Sequence, residues 1–437
     1  MAPSEGAEQP TPKLRQAAVR YGWGLADQIF SSLTNFALAI IVVRTVSLGE
    51  FGAFSLVFAT YLLGLGASRA IASEPLTVRY SASTHAQWEW AVAQATGAAL
   101  SAGVGLGLGC LLIAWMTEGT LRQSFAALGL VMPGLLLQDA WRFAFFAAAR
   151  GNRAFVNDLT WALVLFPTIA LLLTGNPVPV GVIILIWGGA ATLAGLVGAF
   201  QASVVPRPLA TIQWIREQRR LVPPFLAEFT ASSGAAQLVL YAAGAVSLAA
   251  AGALRAGQVL LGPFNVFLMG IRLAVLPEAV RAARRSESML FRITVVVAIV
   301  LALAAIGWGT LVYFLPARLG TAVLGPSWQA AHNVVLPLAF ASAASGVITG
   351  ATVGLRSLTS ARRSLRARLL TGTLIVPSGV AGAALHGALG AAVGLAVGSS
   401  IASIWWWFEL TRALREEAPA FLRRDKTIID MDIGPDA

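Results

Sequence analysis

The chain has 437 residues, of which 57% are hydrophobic and only 12% are charged, and its mean hydropathy is +0.74. Soluble domains carry about 25% charged residues, so this composition excludes a water-soluble, a disordered and a fibrous protein. The formal net charge is +11, and 29 of the 31 basic residues are arginine. The single cysteine, Cys110, excludes a disulfide framework and a cysteine metal cluster. Nearly all of the chain is expected to lie in lipid.

The first 20 residues are polar and are expected to form a disordered cytoplasmic tail. Twelve membrane-spanning helices are predicted after it, since about 20 apolar residues cross the ~30 Å hydrocarbon layer. A turn is predicted at His386-Gly387 between the last two helices, and the count would be eleven without it. In chain order the predicted helices are 22–46, 51–74, 89–116, 121–148, 156–174, 179–203, 222–249, 253–278, 290–315, 327–355, 367–386 and 389–411.

An internal repeat predicts how these helices are grouped. Asp27 and Ser31-Ser32 at the start of the first helix recur as Glu228 and Ser232-Ser233 at the start of the seventh. Such short matches also arise by chance, but the repeat length equals six helices, and six-helix repeats are common in transporters. The sequence therefore predicts an all-α integral membrane protein with two six-helix lobes around a central cavity. The predicted parts are the tail 1–20, the lobe 21–205, a basic cytoplasmic linker 206–221, the lobe 222–411 and a cytoplasmic tail 412–437.

The positions of the basic residues predict the orientation of the helices. With a cytoplasmic N-terminus, most arginines fall in cytoplasmic segments, which is the bias that the positive-inside rule describes. Both ends of the chain are basic, which favours an even number of spans and a cytoplasmic C-terminus. The net charge is thus a signal of membrane topology, and nucleic acid is not an expected partner.

The residues that usually carry catalysis are sparse. His85, His332 and His386 are far apart in sequence, so no zinc or iron site and no nucleophile with its base can be assembled. The glycines of residues 103–109 lack the preceding strand and the following Lys-Ser/Thr of a phosphate loop. We therefore expect no enzymatic activity, no catalytic residue, no metal and no cofactor.

Charged residues inside the predicted spans are the main candidates for function, because each is costly in lipid unless it faces a wet cavity or a partner. The arginines among them are expected to hold an anionic headgroup, since a guanidinium matches phosphate oxygens. Nearby polar side chains would line the cavity and bind sugar hydroxyls. Snorkelling to the headgroup layer and hydrogen bonding between helices are the alternative interpretations. The cavity residues are Arg69, Arg142, Arg272, Asn35, Ser31 and Ser232, and the gating or ion-coupling residues are Asp27, Glu74, Asp139, Glu228 and Glu278.

The stretch from Asp27 to Pro75 resembles the first two helices of bacterial polysaccharide flippases. These belong to the multidrug/oligosaccharidyl-lipid/polysaccharide (MOP) exporter superfamily. The segments that carry the resemblance are DQIFSSLTNF at 27–36, Val43-Arg44, GEFGAFSL at 49–56 and SEPL at 73–76.

The resemblance implies alternating access and movement of a lipid-linked oligosaccharide or polysaccharide precursor across the bacterial plasma membrane. Membrane lipid and the lipid-linked glycan are the implied ligands, with glycosyltransferases or a polymerase as candidate partners. Relatives that flip the peptidoglycan precursor generally have fourteen spans. The predicted count of twelve therefore makes this precursor a less favoured cargo.

Two other functions remain open. Drug-extruding relatives share the twelve-span plan and couple to cations through an acidic residue in helix 1, a role for which Asp27 is a candidate. This predicts a cation-coupled multidrug or metabolite antiporter. The third alternative is a membrane scaffold for glycan-assembly enzymes that transports nothing.

Overall fold

The computed structural model describes residues 12–174 and 178–416, without the side chains of Ser232 and Arg272 and of several other helical residues. Within these ranges the chain forms α-helices and no strand. The helices are α1 Pro12–Thr45, α2 Leu48–Ser68, α3 Glu74–Tyr80, α4 His85–Met116, α5 Gly119–Ala147, α6 Gly151–Leu173, α7 Val180–Ala202, α8 Thr211–Glu217, α9 Val222–Val246, α10 Leu248–Leu260, α11 Gly262–Arg285, α12 Glu287–Tyr313, α13 Ala317–Leu324, α14 Trp328–Ser357 and α15 Ala361–Glu416.

Nine helical stretches of the described residues are long and apolar enough to cross a membrane, and ten are if the bent helix α9 is included. One of the nine, α15, has 56 residues and is folded at non-helical backbone at His386 and Gly387. The predicted turn is therefore confirmed, and α15 is a hairpin of two helices. The predicted fold class, an all-α membrane protein of about twelve helices, is also confirmed.

Several helix boundaries differ from the prediction. The first helix begins at Pro12, so residues 12–20 of the predicted disordered tail are helical, and residues 1–11 lie outside the described part. The predicted helix 253–278 is two helices, α10 and α11, that meet at Leu261. Pro263 explains this break, because proline has no backbone N–H and disfavours helical backbone in the residue before it.

Two compact units can be separated in the chain. Unit 1 takes its described residues from Met1–Ala39 and Thr60–Phe229, and unit 2 from Ile40–Ala59 and Thr230–Ala437. The core of unit 1 includes the fully buried rings of Trp141, Phe145 and Trp214. The predicted division into lobes and linker stays a prediction, but the basic stretch 206–221 is folded in part, with α8 inside unit 1.

A π-helical turn, Arg69–Ser73, joins α2 to α3 in unit 1. Pro75 lies just beyond it and has no N–H to donate to the carbonyl four residues earlier, that of Ile71. The buried indole of Trp214 donates to this carbonyl instead, with an N–O distance of 2.9 Å. The indole of Trp214 on α8 thus supplies the hydrogen bond that Pro75 cannot donate. This bond links the basic stretch 206–221 to the π-helical turn.

The two halves of α15 pack with their backbones in contact. A Cβ atom at Gly382 or Gly390 would collide with the carbonyl group of the other residue. Ser378 donates from its hydroxyl to the carbonyl of Gly394 at 2.8 Å across the same contact. Small residues allow such close helix packing in lipid, where van der Waals contact replaces the hydrophobic effect. Gly387 at the turn has φ +56° and ψ −131°, a conformation available almost only to glycine.

Candidate functional site

A cluster of three aspartates and two arginines lies inside unit 1, and Arg142 is at its centre. Arg142 is on α5, and its side chain is 8% exposed. Its Nη2 donates to Oδ2 of Asp27 on α1 at 2.6 Å. Its Nε lies 3.2 Å from Oδ1 of Asp158 on α6, and its Nη1 lies 3.5 Å from Oδ1 of Asp139. One guanidinium therefore contacts carboxylates from three helices.

Arg69 forms the second ion pair of the cluster. Its Nε and Nη2 donate to the two carboxylate oxygens of Asp139, at 2.8 Å and 2.6 Å. The guanidinium also lies over the ring of Phe143, 5.1 Å from its centroid. Arg69 is the first residue of the π-helical turn, and such turns occur frequently at functional sites. Because Asp139 and Arg142 are three residues apart, they share one face of α5 and join the two ion pairs.

Amide side chains support the cluster from α5 and α6. Gln138 donates to Oδ1 of Asp158 at 2.7 Å and lies 3.2 Å from the Asn157 side-chain oxygen. Asn157 donates in turn to the backbone carbonyl of Ala194 on α7 at 2.6 Å. These amides fix the position of the Asp158 carboxylate, since each has its donor hydrogens directed at a named acceptor.

Asp158, Asn157 and Gln138 were missed as candidates by sequence reasoning. The signal was present, because an aspartate inside a membrane-spanning helix indicates a functional or paired residue. Asp158 lies close to the predicted start of its helix, at residue 156, where a charge needs no explanation. The structure begins α6 at Gly151, which places Asp158 two turns inside the helix and fully buried.

The cluster has three acidic and two basic side chains, so with all of them ionised its net charge is −1. Among the described side chains, Arg69 and Arg142 are the basic groups that pair with Asp27, Asp139 and Asp158. Among the described residues, Oδ1 of Asp27 and Oδ2 of Asp158 have no hydrogen-bond partner. An uncompensated buried charge costs several kcal/mol, so an arrangement of this kind favours binding of a proton or a monovalent cation. No group of three His, Cys, Asp or Glu residues suited to a metal ion occurs in the described ranges.

The other predicted residues of unit 1 lie outside these ion pairs. Glu74 is half-buried and within electrostatic range of Arg69 and of Glu228, which is itself exposed. Ser31 is buried, and its backbone carbonyl accepts a hydrogen bond from the Asn35 amide at 2.9 Å. The structure thus brings together Asp27, Arg69, Asp139 and Arg142 from the predicted set.

Three predicted residues belong to unit 2. Glu278 on α11 is exposed and pairs with Arg281 at 3.1 Å. Ser232 on α9 and Arg272 on α11 have side chains outside the described part. The predicted roles of all eleven residues stay predictions. Five of them form ion pairs among the described residues: Asp27, Arg69, Asp139, Arg142 and Glu278.

No protein-family model and no curated protein matches the sequence. Among solved structures, the chain is similar to an inward-facing multidrug resistance MATE family transporter of the MOP superfamily. The TM-score is 0.65 at 13% identity, and the match covers 88% of this chain and 96% of that one. The lipid II flippase MurJ in an inward closed conformation gives 0.58 at 12% identity, covering 95% and 93%. The multidrug transporter DinF-BH in complex with R6G gives 0.51 at 15%, covering 95% and 99%.

These structures are transporters and flippases, and the likeness extends over most of each chain. At identities of 12–15% it concerns the arrangement of the helices and not the cargo. The chain is a multi-pass membrane protein with the fold of MOP-superfamily transporters.

Proposed function

We propose that the chain is a proton-coupled flippase that moves a lipid-linked oligosaccharide or polysaccharide precursor across the bacterial plasma membrane by alternating access. The observation that carries the coupling is the charge imbalance of the buried cluster in unit 1. Embedded carboxylates that lack a full set of partners are typical of proton relays in transporters.

The proposed coupling depends on which carboxylate oxygens are free. With Asp27, Asp139 and Asp158 all ionised, the cluster has a net charge of −1, and one bound proton makes it neutral. Oδ1 of Asp27 and Oδ2 of Asp158 are the atoms that can take this proton, because they have no partner among the described residues. Release of the proton from the opposite side of the membrane would restore the charge. A change of net charge in a buried site is the kind of local event that shifts a two-state carrier.

The proposed cargo rests on the stretch from Asp27 to Pro75, which resembles polysaccharide flippases. Two residues of this stretch, Asp27 and Arg69, are members of the cluster. The segment that suggests the cargo therefore also supplies part of the proposed coupling site.

Deletion of the gene in the bacterium that encodes it tests the cargo. We expect the lipid-linked glycan to accumulate on the cytoplasmic side, measured as protection from a membrane-impermeant lectin on intact spheroplasts. Wild-type protein should restore lectin access, and Asp27→Asn should not. Normal lectin access in the deletion strain would contradict the proposal, and rescue by Asp27→Asn would favour a scaffold that does not transport.

Proteoliposomes test the coupling. We expect a proton gradient to accelerate flipping by wild-type protein about tenfold or more, which corresponds to a decrease of about 1.4 kcal/mol in the activation free energy. Asp27→Asn should abolish the acceleration, whereas the control Glu89→Gln, an exposed acid on α4, should retain it. Acceleration by a sodium gradient alone would identify sodium, and not the proton, as the coupling ion. Flipping by wild-type protein at the same rate with and without a gradient would contradict the proposed coupling.

A second candidate function is a cation-coupled multidrug or metabolite antiporter, and one observation favours it. The guanidinium groups of Arg69 and Arg142 both contact carboxylates, so the cluster suits a cation better than an anionic headgroup. This function predicts gradient-driven uptake of a lipophilic cation such as rhodamine 6G into the same proteoliposomes. Uptake of the dye without flipping of the glycan would select the antiporter.

A further inference from the structure

Unit 2 contains a cavity of about 350 Å³. The end of α14 and the first half of α15 form two of its walls, and α9, α11 and Trp406 contribute the rest. All of its lining residues belong to unit 2, and none belongs to the aspartate–arginine cluster of unit 1.

The two main walls present the same chemical order. On α14, Arg356 is followed inward by Thr352 and then Ile348, at spacings of four residues that keep all three on one face. On α15, which runs in the opposite sense, Arg368 is followed by Thr371 and Ile375. At 1.5 Å per residue, each series spans about 10 to 12 Å. The cavity therefore has a cationic end, a hydroxyl belt and an apolar end.

The cationic end favours an anion. Among the residues that the structure describes, the lining contains Arg356 and Arg368 but no aspartate or glutamate. Arg356 is exposed and forms no ion pair with any described residue. Two guanidinium groups at one end of a cleft attract phosphate oxygens strongly, because charge-assisted hydrogen bonds are about twice as strong as neutral ones. The predicted orientation puts this end on the cytoplasmic side.

The hydroxyl belt favours a ligand with donor groups beside the anion. Thr352 donates its hydroxyl hydrogen to the carbonyl of Ile348, and Thr371 donates to that of Ala367, both at 2.8 Å. The oxygen of Thr371 also accepts from the Trp406 indole at 2.8 Å. With their hydrogens used, these oxygens can only accept further hydrogen bonds. They therefore match hydroxyl groups of a glycerol or a sugar.

The volume limits the ligand. About 350 Å³ is near the lower limit of ligand pockets, so the cavity holds a headgroup and not a whole lipid-linked oligosaccharide. The apolar end, with Ile348, Ile375 and Leu276, can take the adjoining carbon chain. A Cβ atom at Gly372, which also lines the cavity, would meet no atom within 4 Å. Space is thus available beside the hydroxyl belt.

We propose that this cavity binds the phosphate-bearing headgroup of an amphiphile, with the phosphate at Arg356 and Arg368, hydroxyls at the threonines and carbon at the apolar end. The shared chemistry is a phosphate monoester or diester next to hydroxyl groups. This site is separate from the proposed coupling site. Binding is measured on purified protein without a gradient, so it can fail or succeed independently of transport.

Native mass spectrometry of the full chain in detergent tests the proposal. Dioleoylphosphatidic acid is the probe for the phosphate, and dioleoylglycerol is the matched lipid without a phosphate. Dioleoylphosphatidylglycerol, whose headgroup adds two free hydroxyl groups, tests the hydroxyl belt and should bind more tightly than phosphatidic acid. We expect phosphatidic acid to bind at least about tenfold more tightly than dioleoylglycerol, because charge-assisted hydrogen bonds to its phosphate are stronger than bonds to a neutral hydroxyl. The double variant Arg356→Gln/Arg368→Gln should remove this preference. The control Arg362→Gln/Arg366→Gln, which loses the same charge at the start of α15 outside the lining, should retain it.

A second variant keeps the test decisive if the arginine variant unfolds. Gly372→Phe should fill the cavity and lower phosphatidic acid binding at least about tenfold. Gly307→Phe, at a glycine of α12 that also has open space around it, is the control. Competition by millimolar inorganic phosphate would identify the phosphate alone as sufficient, and absence of competition would identify the lipid headgroup. Unchanged phosphatidic acid binding in both cavity variants, folded by size-exclusion chromatography, would overturn the proposal.

Discussion

Units 1 and 2 are both bundles of apolar helices, but they place their charges differently. Four of the charged residues that are buried in the described ranges, Asp27, Asp139, Arg142 and Asp158, lie in unit 1 and contact one another. Among the described charged residues of unit 2, Glu409 alone is buried to the same degree, and it pairs with Arg363 near the ends of the α15 hairpin.

The difference separates two ways of holding helices together in lipid. Unit 1 links α1, α5 and α6 through the guanidinium of Arg142, and it links the π-helical turn to α5 through that of Arg69. The α15 hairpin of unit 2 relies on glycines that bring backbones into contact. Removing one partner of a buried ion pair causes a large loss of stability, because the other charge is left buried without compensation. Enlarging a residue at a backbone contact causes a loss of stability that grows with the added volume.

Arg142→Gln should have the largest effect, because it leaves three aspartates buried around a neutral side chain. We expect the free energy of unfolding to fall by about 3 to 5 kcal/mol, measured as a lower melting temperature and a lower monodisperse yield in detergent. Arg142→Lys should rescue little, since one ammonium cannot replace the fork that reaches three carboxylates. The control Arg281→Gln removes an exposed pair and should cost less than about 1 kcal/mol. Equal losses in the two variants would show that the cluster does not hold unit 1 together.

Gly390→Leu tests the hairpin of unit 2. Its new side chain would meet the backbone of Gly382, so we expect a loss of about 1 to 3 kcal/mol. Gly372→Ala is the matched control, since its Cβ meets open space and alanine favours helix by about 0.5 to 1 kcal/mol over glycine. Thermal unfolding in detergent should therefore move in opposite directions for the two variants. If Gly390→Leu left thermal unfolding unchanged, the stability of α15 would not depend on backbone contact between its two helices.

Trp214→Phe tests the link between α8 and the π-helical turn. The indole hydrogen bond to the Ile71 carbonyl is lost, while most of the buried ring is retained. We expect a loss of about 1 kcal/mol, typical of one buried hydrogen bond, together with faster amide exchange in residues 69–73. Trp308→Phe, which loses one indole bond to the Leu260 carbonyl in unit 2, is the control and should leave exchange at 69–73 unchanged.

Asp158→Asn should have the smallest effect on stability, and it is the sharpest test of the charge imbalance. The asparagine oxygen can still accept from Gln138, and the cluster becomes neutral with two aspartates and two arginines. We expect the free energy of unfolding to change by less than about 1 kcal/mol, although gradient-driven transport should be lost. A loss comparable to that of Arg142→Gln would show that the third aspartate is needed as a charge.

The structure brings four of the predicted site residues together, and their roles stay predictions. Particular residues show which of these contacts the sequence could predict. Asp139 and Arg142 are three residues apart on one helix, so their proximity could be predicted from spacing alone. Asp27 and Arg142 are 115 residues apart in the chain, and no local pattern specifies that their atoms meet at 2.6 Å. Asp158 was overlooked because its depth depends on where α6 begins, and helix boundaries are the weakest part of a sequence-based prediction.

The fold was predicted more fully than the site. The apolar runs are long, so the membrane-spanning helices follow from hydropathy and length. The turn at His386-Gly387 was also predictable, because glycine adopts the positive φ that the turn requires. The break at Leu261 and the π-helical turn at Arg69 were not, since a proline in a span can kink, break or leave a helix according to what packs against it.

Composition and the length of each apolar run are enough to predict that this chain lies in a membrane as a helical bundle. They also identify the charged residues that are costly in lipid. Which carboxylate faces which guanidinium, and that arginines and threonines of α14 and α15 line one cavity, follows from the packing of the helices. These contacts join residues that are distant in the chain, and their energies depend on distances that helix packing sets.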